Sequence, residues 1–351
     1  MKASPLLPGL NSEVSETIIT TAASNISVAR LSRSMASYVP AALRPTFILT
    51  NPSQLAATPD ATMDLGDQLS SLDQRYLIED ADQWLHQGIN YFQEGRFTPA
   101  LALIQQALQA YKRLGDRPLV ARVLLTQAVM HYRLGDYLCA VDYGAQCLTL
   151  VQDLGDLPLV QEVLDHLGNS YRHQGNLSQA MEYMNRSLAL ARQIHDQAAE
   201  MRALNNLAMV YRARGEHHQA AVIYRASLAI ARALGDLTVQ MQILQNLGNT
   251  YKSLRHYGQA IRCYEAFLHL QQKQPSGVVD QTTLRRILTH LTTATLAVHD
   301  YSRAIIHLQH HLTIACNLGD SRCTSSLIDT LRQCYVALNQ VHSFQSPMET
   351  A

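Results

Sequence analysis

The sequence predicts an all-α fold: an α–α superhelix of about six helix–turn–helix repeats, closed by a C-terminal capping helix. Three observations carry that prediction. Alanine recurs at Ala100, Ala140, Ala180, Ala220 and Ala260, and glycine at Gly95, Gly135, Gly175 and Gly215, both at a spacing of 40 residues. A second series of small residues, Gly88, Ala128, Gly168, Ala208 and Gly248, keeps the same period, as do Tyr171, Tyr211 and Tyr251. Leu114, Leu154 and Leu234 each open a Leu-Gly-Asp phrase, with Ile194-His195-Asp196 in the remaining slot. A fixed period of this length marks one supersecondary unit repeated, and such units bury their faces only by stacking.

Residues 1–70 stand apart from the rest of the chain. They are rich in Ser, Thr, Ala, Pro and Asn, poor in charge and without sustained helical period, which predicts a mostly disordered extension with one weak helix over residues 24–38. Arg30, Arg33 and Ser34 suit a transit peptide, but Glu13 and Glu16 argue against one. The apolar stretch at residues 45–50 would serve either as an intramolecular ligand or as part of a plain linker.

The repeats occupy residues 71–340, with starts near Ala81, Ala121, Gln161, Met201, Met241 and Arg285. In the fourth, Leu204, Leu207, Ala208 and Tyr211 lie on one face of a first helix that Gly215 ends. The second helix, over 217–234, buries Ala220, Ile223, Tyr224, Ser227, Leu228 and Ala231. Gly235 suits a left-handed C′ position, and Asp236 can cap the next helix. Pro118 and Pro158 stand just inside their helices, where proline costs little. The small residues of the first helix are expected to face the alanine column of the second. Ala304 follows Ala260 by 44 residues, so Pro275-Ser276-Gly277 marks a four-residue insertion in a longer loop. The sixth unit carries Thr292 and Thr295 in place of Gly and Tyr, as a worn capping repeat does. A cap helix over 324–339 and a disordered tail over 341–351 complete the division.

These columns resemble the tetratricopeptide repeat. Trp84, Gly88, Tyr91, Phe97, Ala100 and Ala107 match its pattern in the first unit. Asn206-Leu207-Ala208 with Tyr211, and Leu247-Gly248-Asn249 with Tyr251, resemble its 40-residue variety, found in kinesin light chains, Pins-type adaptors and bacterial regulators. The resemblance implies a right-handed solenoid whose first helices line a concave, peptide-binding groove. Carried over residue by residue, that groove is His166, Asn169, Arg172 and His173, then Arg202, Asn205, Asn206 and Arg212, then Gln245, Asn246, Asn249 and Lys252. Glu162 and Asp165 are its acidic members. An asparagine amide both donates and accepts, so a row of them can bond a peptide backbone whatever its side chains. The carboxylate clamp of some relatives matches at Asn169 and Asn206, but Asp165, Gln242 and Asn246 stand where it needs cations.

Composition narrows the function. Twenty-eight basic residues balance 28 acidic ones, which removes the electrostatic footprint of a nucleic-acid or membrane-surface binder. Cys139, Cys147, Cys263, Cys316, Cys323 and Cys334 form no C-x-x-C pair and suit reduced thiols, and no signal peptide is recognisable, so the expected location is cytoplasmic. His307, His310 and His311 with Cys316 have helical spacing for a metal but no carboxylate partner, and are expected to be surface histidines. No phosphate-cradling or dinucleotide-binding glycine motif occurs. The sequence therefore predicts no cofactor, metal or catalysis, but a scaffold or adaptor holding an extended acidic or polar segment of a partner protein, with self-association left open. A peptide-responsive regulator is the alternative, and a metal-binding or enzymatic protein the remote one.

Overall fold

The computed structural model describes residues 71–273 and 279–345. The expectations for residues 1–70, for Pro275-Ser276-Gly277 and for residues 346–351 lie outside the described residues. Thirteen helices and no strand occur among the described residues. In chain order they are α1 (Ser71–Gln93), α2 (Phe97–Leu114), α3 (Arg117–Arg133), α4 (Tyr137–Leu154), α5 (Leu157–His173), α6 (Leu177–Gln193), α7 (Gln197–Ala213) and α8 (His217–Ala233). Then come α9 (Leu237–Ser253), α10 (Tyr257–Gln272), α11 (Gln281–Ala297), α12 (Tyr301–Asn317) and α13 (Ser321–Gln345). The described residues fall into two compact units, α1–α8 within 71–235 and α9–α13 within 236–345. No helix among them is long and apolar enough to cross a membrane.

Within each unit, every helix packs on the next, and the first helices of successive pairs also touch: α3 with α5, α5 with α7, and α9 with α11. The first helices therefore share a face in each unit. Their starts are set by capping carboxylates. Asp116, Asp156 and Asp196 accept the amide N–H of Leu119, Leu159 and Ala199 at 3.0, 3.1 and 2.9 Å. Asp236 and Asp280 do the same for Val239 and Thr283 at 3.0 and 2.7 Å. Each satisfies an amide that the first helical turn would otherwise leave open. For that reason α3, α5, α7, α9 and α11 begin four residues before the starts expected at Ala121, Gln161, Met201, Met241 and Arg285. The described part of the first helix, α1, begins at Ser71 rather than near Ala81. Asp320 likewise starts α13 at Ser321, three residues before the expected Thr324.

The helices end as the glycine column requires. Gly115 and Gly155 follow their helices at φ 70° and 69°, where a side chain would strain the backbone. His195, Arg255 and His299 hold comparable turns at φ 56°, 57° and 57° without that freedom.

The alanine column is buried throughout: Ala100, Ala140, Ala180, Ala220, Ala260 and Ala304 are at most 2 % exposed. The small residues of the first helices do not mainly face those alanines, as expected from sequence, but the bulky residue one turn further on. A Cβ on Gly88 would meet Ile104 Cδ1 at 2.8 Å, one on Gly168 would meet Met184 Cε at 2.7 Å, and one on Gly248 would meet the Tyr264 ring at 2.6 Å. Ile104, Met184 and Tyr264 are fully buried. Column 147, 187, 227 uses small polar groups instead. Cys147 Sγ donates to the Ala121 carbonyl at 3.1 Å, and Ser227 Oγ to the Met201 carbonyl at 2.8 Å. Burial pushes the Cys147 thiol up to about 12, so it acts as a neutral donor.

This packing sets two stability outcomes. Gly248→Ala should lower the unfolding free energy by about 1–3 kcal/mol in urea denaturation, because the Tyr264 ring cannot bend away. Gly168→Ala should cost clearly less, since the Met184 thioether end can swing aside. In the other direction, His195→Gly should stabilise the chain by up to about 1 kcal/mol in urea unfolding by relieving the left-handed turn.

Candidate functional site

In residues 71–235 the candidate side chains on α5 and α7 meet. Asn206 Nδ2 donates to both carboxylate oxygens of Asp165, at 2.9 Å each, and so ties α7 to α5. Asn169 Nδ2 donates to the Asp165 backbone carbonyl at 3.2 Å, and His166 Nε2 lies 4.0 Å from Glu162. One turn further along α5, an Arg172 terminal nitrogen sits 2.7 Å from His173 Nε2, while its Nε is buried without a hydrogen-bond partner among the described residues. The His173 ring stacks on Tyr137 at 4.8 Å and meets Tyr132 edge-on at 5.3 Å. Burial first, and then Arg172, hold its imidazole below the ordinary value. Burial raises the Tyr132 hydroxyl, with Arg172 opposing.

Arg212 on α7 faces the hydroxyl of Tyr224, which burial pushes up to about 12 against the pull of Arg212 and Arg172. Two guanidinium groups thus sit beside buried phenols that stay neutral. Arg202 is half-exposed and pairs with no carboxylate among the described residues. Asn205 departs from the expected open groove. It is only 6 % exposed, and among the described residues its Nδ2 reaches no better partner than Met209 Sδ at 3.9 Å and its Oδ1 has none.

In residues 236–345 the candidates lie on α9. Asn246 is buried at 9 % exposure, a second departure from the expected surface amide, while Gln245 is half-buried. Both asparagines turn inward because their positions on the first helix face neighbouring helices rather than solvent. Asn249 Oδ1 accepts the Tyr264 hydroxyl at 2.8 Å, and Lys252 Nζ lies 2.9 Å from His290 Nδ1 on α11. That bond needs an unprotonated ring nitrogen. Burial, then Lys252, then Arg286 bring the His290 imidazole down to about 4.

Sequence reasoning placed Tyr224 in the core without its arginine neighbour, and missed the other phenols and the imidazole that hold these groups: Tyr132, Tyr137, Tyr264 and His290. Tyr224 and Tyr264 were detectable, since each stands four residues after the alanine column. The histidines of α12 also differ from expectation. His311 is 4 % exposed with Nδ1 unpartnered among the described residues, and His307 is half-buried 3.7 Å from Glu265, so of the three only His310 is exposed. They lie inside because Leu308 and Ala315 carry the same helix face into the core.

The chain has counterparts among known sequences and structures. The profile of the tetratricopeptide repeat matches residues 80–153, 159–233 and 199–273. Comparison with curated proteins gives no match. A signal-transduction ATPase with a tetratricopeptide repeat sensor from Pyrococcus horikoshii is similar at TM-score 0.60 and 17% identity. The match covers 78% of this chain and 44% of that one, so this chain spans less than half its length. Aspartyl phosphate phosphatase F from Bacillus subtilis is similar at TM-score 0.57 and 9% identity, over 75% of this chain and 72% of that chain. A Rap protein complexed with Competence and Sporulation Factor is similar at TM-score 0.54 and 14% identity, over 77% of this chain and 79% of that chain. At these identities the likeness is one of fold.

The Lys252–His290 pair has a pH signature. Lys252→Gln removes a nearby cation and should raise the His290 titration midpoint, though burial keeps it below 6.5, as an NMR titration of the imidazole would show. Because the folded value lies below the ordinary 6.5, the unfolded chain takes up the proton first. Stability should therefore fall as pH drops from about 6.5 towards about 4.

Proposed function

This chain belongs to the tetratricopeptide-repeat proteins, and on that premise we propose that it is a non-catalytic scaffold whose first helices hold an extended acidic or polar segment of a partner protein. The observation that carries this reading is the set of polar groups fixed across α5 and α7. The Asp165–Asn206 link, and the guanidinium groups of Arg172 and Arg212 beside buried phenols, are ordered before any partner arrives. Preorganisation of that kind lowers the ordering cost of binding. With its Nδ2 committed to Asp165, Asn206 offers its carbonyl oxygen to a peptide N–H. Asn169, Arg172, Arg202 and Arg212 supply the remaining donors, and three of these four are permanent cations. His166 and His173 flank this row. Gln245, Asn249 and Lys252 form a corresponding row on α9, in the unit of residues 236–345. Asn205 and Asn246 support the packing of these rows rather than touching a ligand.

A peptide-responsive regulator is the second reading. It is favoured by the likeness in fold to a Rap protein whose structure holds Competence and Sporulation Factor. In both readings the working step is binding, in the cytoplasm, without a cofactor and without nucleic acid or membrane.

Selection of peptides from a random library on the full chain tests the proposal. The selected peptides should be enriched in Asp and Glu, and Arg202→Glu should weaken them about tenfold, the loss of one charge-assisted hydrogen bond of roughly 1.4 kcal/mol. Circular dichroism should be unchanged. Binders indifferent to Arg202→Glu, or no binders at all, would contradict it.

A further inference from the structure

The repeat supplies its own control for the turn between α3 and α4. At the position where four of the other units carry Tyr91, Tyr171, Tyr211 and Tyr251, and the worn sixth Thr295, this one carries His131. Where those four carry Pro99, Gln179, Gln219 and Gln259, it carries Cys139. Between the two stands Asp136, a helix cap that recurs as Asp300 in the sixth unit, where the remaining units have Arg96, Asn176, Glu216 and His256. The two departures, His131 and Cys139, replace residues that fit the fold with ones that can ligate a metal, and both flank the capping carboxylate of Asp136.

The geometry brings them together. The ligating atoms of His131, Asp136 and Cys139 all lie within 4.8 Å of one another. His131 Nδ1 is 3.1 Å from Asp136 Oδ2. The imidazole keeps the packing role of the tyrosine it replaces. It stacks on Tyr143 at 5.3 Å, as Tyr171 stacks on Tyr183 at 5.3 Å in the next pair. That stack fixes the ring plane, so the nitrogen is an addition to the fold rather than a substitute for its packing. The carboxylate is equally prepared. Its Oδ1 is held by the Cys139 amide N–H at 3.2 Å as the cap of α4, which turns Oδ2 towards His131 Nδ1.

We propose that His131, Asp136 and Cys139 form a binding site for a divalent transition-metal ion of the zinc class. Nitrogen and oxygen ligands about 2.0–2.1 Å from a tetrahedral ion lie roughly 3.3 Å apart, close to the spacing of His131 and Asp136. A mixed sulfur, nitrogen and oxygen set suits Zn²⁺ or Co²⁺, whereas Mg²⁺ and Ca²⁺ want oxygen alone. Asp136 is exposed, so solvent completes the fourth position. Without an ion the thiol keeps its proton, because the Asp136 carboxylate, burial and Asp142 all disfavour the thiolate. Metal binding takes the thiolate and releases that proton to water. The bound ion ties the last turn of α3 to the first turn of α4 and stabilises the hairpin by mass action.

The test is a Co²⁺ titration of the metal-stripped full chain, followed by the thiolate-to-cobalt charge-transfer band in the near ultraviolet. One equivalent should saturate the band, and excess Zn²⁺ should bleach it while Mg²⁺ does not. Cys139→Ser, which keeps the other five cysteines, should abolish it. His131→Tyr restores the residue that the other repeats tolerate, and should weaken binding roughly tenfold or more without loss of helix. A band that persists in Cys139→Ser, an unchanged affinity in His131→Tyr, or no band in the wild type overturns the proposal.

Discussion

Paired helices approach closely in this chain because one gives up a side chain where the other carries a large one. Gly88 lies against Ile104, Gly168 against Met184, and Gly248 against the ring of Tyr264. The buried alanine column, four residues before each of those bulky residues, keeps the rest of the contact narrow. Much of the polar architecture depends on that approach. The Tyr264 ring is held over Gly248, and its hydroxyl can therefore reach Asn249 at 2.8 Å. Packing and the proposed recognition surface are thus coupled through single side chains.

The same constraint reduces the surface open to a partner. Of the twelve groove positions inferred from sequence, Asn205 and Asn246 are buried, and the amide or ammonium donors of Asn206 and Lys252 already have acceptors. Asn249 accepts from a phenol, and His173 is stacked on Tyr137 with Tyr132 edge-on to it. Such groups are oriented scaffolding for the cations among them. Of those cations, Arg202 is the least committed, whereas Arg172 and Arg212 sit against buried phenols whose neutrality spares a second buried charge.

The helical repeat was legible because every unit repeats the same steric problem, and a 40-residue period exposes its solution in Ala, Gly and Tyr columns. Capping was legible at Asp236, and its extension to Asp116, Asp156 and Asp280 explains why the helices begin earlier than the consensus starts. The target of the small first-helix residues was not legible, since a column of glycines does not reveal which neighbour uses the space. Nor were the polar partners. Asp165 and Asn206 lie 41 residues apart in sequence, and Lys252 and His290 lie 38 apart. Only the stacking of one pair on the next brings them into contact. The His131, Asp136 and Cys139 cluster was hidden for a different reason. Its spacing resembles no metal motif, and it stands out only as two departures from the repeat on either side of a capping carboxylate.

The central claim is that the first helices are the working surface, and site-specific photo-crosslinking addresses it directly. A photoreactive residue at position 202 on α7, or at the exposed position 225 on α8, would be irradiated with a peptide selected on the wild-type chain. Crosslinking at 202 and not at 225 is the expected result. Crosslinking at 225 alone would place the partner on the second helices and contradict the account.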